Sequence, residues 1–335
     1  MKARKSLLSL AVMFAVSGAA FADNSSVNST QDGSFNAVVA TQKGATGSSL
    51  TLEQRGKNNT AGIQGGRFTP DQSISQTATS SSLSIIQKGD NNLALGRQSG
   101  NSNTGAIEQT GSGIQGASLY QGGGSNFAKI AQDTNPLTSA SITQNASGEG
   151  NNSSAAITQA HSGFAQADVK QSGSYNGASI NQQYSNGAEA HVAQIGNNDS
   201  ATLGQEHADR SGARVTQTGS NLTASVQQTL AQDSDLNVKQ TGGFNTVYAT
   251  QQNGSHLEAT LIQGANNNYA TSSQAGAYNE ETLLQTGANN WASVSQSGQG
   301  TYRNSNVVSL SQSGNFVSAS VTQSGGAGNV AKISQ

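Results

Sequence analysis

Apolar and polar residues alternate along most of this chain with a period of two, in short bursts that end on glutamine. Two positions before the glutamine stands Ile, Leu or Val, as at Ile85, Ile107, Ile130, Val169, Val215, Val294 and Ile333. Four positions before it Ala recurs, as at Ala94, Ala128, Ala178, Ala201, Ala224, Ala292 and Ala331. The resulting template, Ala-x-Ile/Val-x-Gln with polar x, puts Ala, Ile and Gln on one face of a strand and the x residues on the other. An amphipathic helix needs apolar spacings of three and four, which these segments lack. Short strands of about five residues are predicted.

The glutamines themselves form a ladder. It starts at Gln31, passes through Gln54, Gln64, Gln76, Gln87 and Gln98, and reaches Gln335 in 27 positions. From Gln159 it runs through Gln171, Gln182, Gln194 and Gln205 to Gln274, alternating steps of twelve and eleven without a break. The true unit is therefore a pair of similar halves, and self-similarity at a period of about 23 residues marks a solenoid or an array. The longer steps, 144 to 159 and 296 to 312, predict loops bulging from the stack.

The cleanest connections read Gln-x-Gly-x-x-Asn-x-Ala-x-x-x-Gln. Gln87, Gly89, Asn92 and Gln98 fit this run, as do Gln121, Gly123, Asn126 and Gln132, then Gln171, Gly173, Asn176 and Gln182. Gln240, Gly242, Asn245 and Gln251 follow, then Gln285, Gly287, Asn290 and Gln296. Glycine supplies the positive φ of a tight reversal, and asparagine tolerates it while bonding nearby backbone. The steps of twelve use a turn richer in charge, as in Glu206 to Arg210 and Asp233 to Asp235. One edge of the stack is therefore expected to be Gly/Asn-rich and neutral, the other more charged.

Strand, turn, strand, turn in register gives an all-β fold, a two-sheet parallel β-solenoid (a stack of β-arches) with one strand per sheet in each repeat. About thirteen rungs spaced about 4.8 Å apart would make a rod of roughly 60 Å. Its core is a thin layer of Ala, Ile, Leu and Val flanked by columns of Gln and Asn, whose stacked amides can bond one another as in a steric zipper. Solenoids that stay monomeric need polar caps. Here the ladder runs to Ser334-Gln335, and an uncovered edge strand is a template for another chain.

Composition sharpens this picture. Of 335 residues, hydrophobic ones make up only 33% and charged ones 10%, with 40 glycines and a mean hydropathy of -0.49, which argues against one large globular core. A net charge of -2 is too small to keep a disordered chain dispersed, and two prolines do little to block β-pairing. At the start, Lys2, Arg4 and Lys5 precede the apolar run from Leu7 to Val16 and the small-x-small triplet Ala20-Phe21-Ala22. Residues 1–22 are expected to be a Sec signal peptide cleaved after Ala22, leaving 23–335 as the repeat domain. No later stretch is apolar enough for a membrane helix. An exported chain with no cysteine gains nothing from disulfides, so its stability outside the cell must come from packing and hydrogen bonding.

The run Ser81, Gln87, Gly89, Asn92, Ala94, Gln98 resembles the curlin repeat, found in the subunits and nucleators of bacterial curli fibres. Many tandem copies make the resemblance more specific than one match. It implies a secreted functional amyloid on the bacterial cell surface serving adhesion and biofilm matrix, with itself as principal partner. It also implies a nucleator or co-subunit and an outer-membrane export channel. Gly105, Thr60 and Glu281 depart from the expected Ala.

No residue set reads as a catalytic, metal or cofactor site. His161, His191, His207 and His256 have no metal-ligand spacing and read as surface or turn residues. Asp233 and Asp235 lack the glycine and glutamate of an EF-hand loop, and Gly122-Gly123-Gly124-Ser125 lacks the aspartate of the calcium nonapeptide. No Gly-x-Ser-x-Gly joins a strand to a helix. Glu280 and Glu281 alternate faces and cannot converge on a substrate; Glu281 in an Ala slot reads as a frayed or shifted rung, or as a brake on aggregation. Lys43, Lys57, Lys88, Arg97, Lys129, Lys170 and Lys239 are dispersed, which does not favour nucleic-acid binding. Phe127, Tyr175, Phe244, Tyr269 and Trp291 read as rings packed at the edge of the core, or as carbohydrate or dye contacts. A self-assembling structural subunit leads the functional readings. A monomeric solenoid binding glycan, ice or a host surface comes second, because the outward positions vary too much for a repeated Thr-x-Thr motif. A polysaccharide-cleaving β-helix comes third.

Overall fold

The computed structural model describes residues 24–63, 73–133, 136–145 and 150–335; the expected signal peptide and its cleavage after Ala22 lie outside them. The chain winds into two parallel sheets that alternate in sequence. The first sheet has 13 strands, from Ser26–Ser34 through Ser82–Lys88, Gly177–Gln183 and Trp291–Gln299 to Ser318–Ser324. The second has 15, ending on Val330–Ser334. Consecutive strands lie in opposite sheets along most of the stack, so neighbours within a sheet come from adjacent turns of the solenoid and run parallel. Register is kept glutamine to glutamine: Gln159 sits beside Gln182, Gln182 beside Gln205, and Gln194 beside Gln217.

Alternation dictates which side chains enter the core. In Ser154–Ala160 the burial runs exposed, buried, intermediate, buried, exposed, buried, and Ala155, Ile157 and Gln159 are the inward set. The hydrophobic cluster is continuous from Leu50 to Val321, mostly two apolar side chains per strand, with no helix among the described residues to thicken it. Among the described residues no helix is long and apolar enough to cross a membrane.

Departures from the template compensate one another across this thin layer. Leu83 is larger than the usual Ala, and two glycines make room for it: a Cβ on Gly96 would lie 2.8 Å from Leu83 Cδ2, and one on Gly105 would lie 3.1 Å from Cδ1. Gly105 thus holds its Ala slot, between Leu83 and Ala128, as a space-maker.

Glu281 corrects the reading of a frayed rung. Asn279–Gln285 pairs in register on both sides, Ala259 with Glu281 and Glu281 with Val308, and the glutamate is 3% exposed. Directly across the core, Ser272 occupies an Ile slot and donates its hydroxyl to Glu281 Oε2 at 2.6 Å. Two template violations meet in one rung.

A second correction concerns Gln64 and Thr60. The 27 glutamines do not make 27 successive half-turns, because the second-sheet ladder passes from Gln42 to Gln76. Gln64 lies outside the described residues. The chain leaves this sheet after Gly62 and re-enters at Ile74, and Val39 closes the gap: its N–H donates to the Ala61 carbonyl, and its own carbonyl accepts from Ile74. Ala61, beside Ala94, fills the Ala slot, and Thr60 falls beside Leu93. The insertion leaves from within a strand, which a count of intervals cannot show. The step from Gln296 to Gln312 does form an excursion, closed by an antiparallel bridge between Thr301 and Asn304.

Candidate functional site

The candidate site is the stack itself: its amide columns, its two edges and its two ends. In the first sheet Gln31, Gln54, Gln87, Gln109, Gln132 and their successors bond side chain to side chain, each Nε2 donating to the next Oε1 at 2.7–3.1 Å up to Gln323. Gln87, Gln132, Gln182, Gln251 and Gln296 lie in this column. A matching column in the second sheet runs from Gln42 to Gln335 and holds Gln98, Gln121, Gln171, Gln240 and Gln285. Interior amides also tie the sheets together: Gln182 Nε2 donates to Gln205 Oε1 at 2.8 Å and to the Gln166 and Ala188 carbonyls at 3.2 Å. The buried amides are thus satisfied on both sides, the condition for placing polar groups in a dry interior.

Where the chain returns from the second sheet to the first, asparagines continue the bonding. Asn126, Asn176, Asn245 and Asn290 each accept a backbone N–H of the next rung through Oδ1, at 2.9–3.1 Å. Their Nδ2 groups donate to carbonyls of the turn; Asn176 reaches the Ser172 and Gly196 oxygens. Gly123, Gly173, Gly242 and Gly287 lie on this same edge. Gly173 shows why: its φ is +107°, and an added Cβ would collide with the Gly196 carbonyl of the next rung.

Asn92 and Gly89 fall on the opposite edge, where Asn92 N–H donates to Asn59 Oδ1 and Asn92 Oδ1 accepts no hydrogen bond among the described residues. The Gly/Asn run therefore does not mark a single edge along the whole chain. From Ser162 to Leu257 the opposite edge uses serine in its place, and asparagine returns there at Asn279 and Asn306. Ser185 N–H donates to Ser162 Oγ, Ala208 N–H to Ser185 Oγ, Ser234 N–H to Ser211 Oγ and Leu257 N–H to Ser234 Oγ, at 3.0–3.2 Å. Serines one repeat apart were the available signal, hidden because Ser is abundant everywhere in the chain.

Two carboxylates interrupt the stack, Asp199 in the asparagine column and Glu281 in an Ala slot. Asp199 stands between Asn176 and Leu222 in the asparagine column, 1% exposed. Its Oδ1 accepts the Leu222 N–H at 3.0 Å, whereas Oδ2 has no partner among the described residues. Burial pushes its pKa up to about 6, partly offset by the Leu222 N–H. Glu281 is pushed up to about 8 by burial, against the opposing effect of the Ser272 hydrogen bond, and its Oε1 is likewise unpartnered among the described residues. Its neighbour Glu280 points outward.

On the surface, His161, Tyr184 and His207 stack in successive turns with ring centroids 5.0 and 5.1 Å apart, and His256 stacks on Tyr278 at 4.5 Å. Arg210 and Asp233 form a bidentate pair on the same edge. No group of three metal-ligating side chains converges among the described residues. Phe127, Tyr175, Phe244, Tyr269 and Trp291 are not packed at the core edge as one reading had it; they are 37–62% exposed.

The stack has polarity. Each glutamine donates to the rung that follows it in sequence, so Gln31 and Gln42 leave acceptor oxygens at one end and Gln323 and Gln335 leave donor amides at the other. Among the described residues no strand lies beyond Ser26–Ser34 at one end, or beyond Ser318–Ser324 and Val330–Ser334 at the other. These features define the class: a parallel β-solenoid with in-register amide columns and open sheet edges. Within that class, a family model described as Curlin associated repeat matches residues 78–111. The chain carries this repeat, and the match covers the segment Ser81 to Gln98 that bears the resemblance. No curated protein matches the chain. Repeat and fold together fit a curli-type structural subunit.

Proposed function

We propose that the processed chain, residues 23–335, is a secreted subunit of a curli-type functional amyloid fibre. It polymerises when the Ser26–Ser34 end of one copy adds to the Ser318–Ser324 and Val330–Ser334 end of another. The supporting observation is that, among the described residues, both sheets end on strands with no further neighbour, whose glutamine columns offer acceptors at one end and donors at the other. Heterologous contacts of this kind do not close, so they generate filaments, and each addition continues a ladder already repeated throughout the chain. By resemblance the fibre sits outside a bacterial cell in adhesion and biofilm matrix, with a nucleator or co-subunit and an outer-membrane export channel as partners.

Purified chain lacking positions 1–22 is expected to pass from soluble to fibrous after a lag that sonicated fibres abolish. The product should diffract with a meridional spacing of about 4.8 Å. A chain that stays monomeric for days at micromolar concentration in the presence of seeds would overturn the proposal.

A further inference from the structure

The two outer faces of the solenoid differ in chemistry. From Ser154 onward the first-sheet strands carry a single charged residue, Glu206; their outward positions are mainly Ser, Thr, Ala, Asn and Gln. The second-sheet strands over the same span carry Asp168, Lys170, Glu189, Arg214, Asp235, Lys239, Glu258 and Glu280, among others. Charge that keeps a surface solvated has been segregated to one side.

The uncharged face also collects aromatic rings. The whole chain has one Trp, seven Tyr and eight Phe, yet five of these lie in four consecutive turns at one corner of this face: Phe244, Tyr248, Tyr269, Trp291 and Phe316. Tyr269 and Trp291 are direct cross-strand neighbours, and Tyr248 lies 6.0 Å from Tyr269, centroid to centroid. All five are 37–81% exposed, so a large part of each ring stays open to a ligand. Beside them Thr271 donates its hydroxyl to Ser293 Oγ at 3.0 Å, part of a hydroxyl-lined strip along the same strands. Clustered exposed rings on a rigid scaffold mark an interaction site rather than scattered surface apolarity.

We infer that this corner binds an uncharged polysaccharide chain laid along the stack axis. A pyranose ring presents an apolar C–H face that stacks on an aromatic ring, and a rim of hydroxyls that Ser, Thr and Tyr hydroxyls can bond directly or through water. Tyr269 and Trp291 on adjacent rungs, with Tyr248 beside Tyr269, offer neighbouring platforms along a linear glycan. With no charged side chain on these strands, an uncharged polymer loses no ion solvation on docking, and an anionic one gains no electrostatic attraction.

Trp291 is the single tryptophan, so its emission reads the site directly. The chain lacking positions 1–22, held at low density on a surface so that copies cannot stack, is titrated with cellohexaose. Saturable blue-shifted emission and reduced acrylamide quenching are expected. Tyr269→Ser and Phe244→Ser should each weaken binding about tenfold or more while leaving the strand circular dichroism and seeded fibre growth unchanged, and Tyr184→Ser, whose ring lies on the opposite edge of the stack, should bind like the parent. The inference is overturned if emission is unmoved at millimolar cellohexaose. It is also overturned if the shift follows protein concentration instead of sugar, which would place a second copy over the rings, or if an oligoalginate binds as well as cellohexaose. Seeded growth is read separately, so failure of the glycan site and failure of the fibre proposal are distinguishable.

Discussion

Replacing Glu281 with Gln tests the energetic reasoning most sharply, because a single proton is involved. Burial raises the carboxyl pKa from 4.5 to about 8. Each unit of difference between unfolded and folded chain is about 1.4 kcal/mol of differential stability. Because the folded value is the higher one, this group's contribution is fully present below pH 4.5 and is lost as pH rises through about 8. The penalty reaches roughly 3 kcal/mol at pH 7 and roughly 5 kcal/mol above pH 9, as upper bounds that local opening of the rung would reduce. Gln has nearly the same volume, accepts the Ser272 hydroxyl and cannot ionise, so Glu281→Gln should match the parent near pH 4.5 and exceed it progressively above. Solenoid stability is local and nearest-neighbour in character. The effect should therefore concentrate in Glu258–Gln263, Asn279–Gln285 and Asn306–Gln312, the strands stacked on or containing this residue. Hydrogen exchange read by mass spectrometry between pH 5 and 9, corrected for intrinsic rates, measures it. Identical pH profiles for parent and Glu281→Gln in those strands would refute the argument that Glu281 is buried in register.

Other substitutions probe the remaining columns. Asp199→Asn restores the asparagine column; it should stabilise the neighbouring turns by about 1–3 kcal/mol at pH 7 and by almost nothing below pH 4, measured by the same exchange experiment. Gln182→Leu takes the donor from Gln205 Oε1 and one of three acceptors from Gln159 Nε2, which keeps the Ser139 and Ala165 carbonyls, so it should cost about 1–3 kcal/mol and lengthen the assembly lag, followed by dye-binding kinetics. Gly173→Ala forces a side chain into the Gly196 carbonyl at φ +107° and should cost about 2 kcal/mol or more, read as earlier proteolysis in that turn; equal resistance would contradict the observed packing. Gly96→Ala crowds Leu83 and should destabilise the chain by about 1–2 kcal/mol, whereas Gly96→Ala with Leu83→Ala should recover much of that cost, as a double-mutant cycle in guanidine would show.

Much of this architecture was legible because its signals are local. Period-two alternation before Gln159, Gln182 and Gln205 sets which side chains point inward, and a run such as Gln171-Ser172-Gly173 announces a reversal within a few residues. Tandem repetition then multiplies weak signals into a strong one, so the two-sheet stack could be read from spacing alone. Other features stayed hidden because they depend on residues brought together only by coiling. The role of Ser162 with Ser185, and of Ser211 with Ser234, in two edge columns emerges only when successive rungs are superposed, since nothing distinguishes those serines locally from the many others.

The sequence by itself determined the strand period, the repeat length and the chemical identity of the inward columns, because backbone geometry converts alternation directly into facing. Tertiary structure alone decided how the exceptions are absorbed. It bridged Ala61 and Ile74 past the insertion holding Gln64, set Gly96 against Leu83, and placed Ser272 opposite Glu281. The reason is physical: in a core only two side chains thick, the fit of any residue is governed by its partner in the other sheet and by the rungs above and below, and those neighbours are chosen by winding rather than by adjacency along the chain.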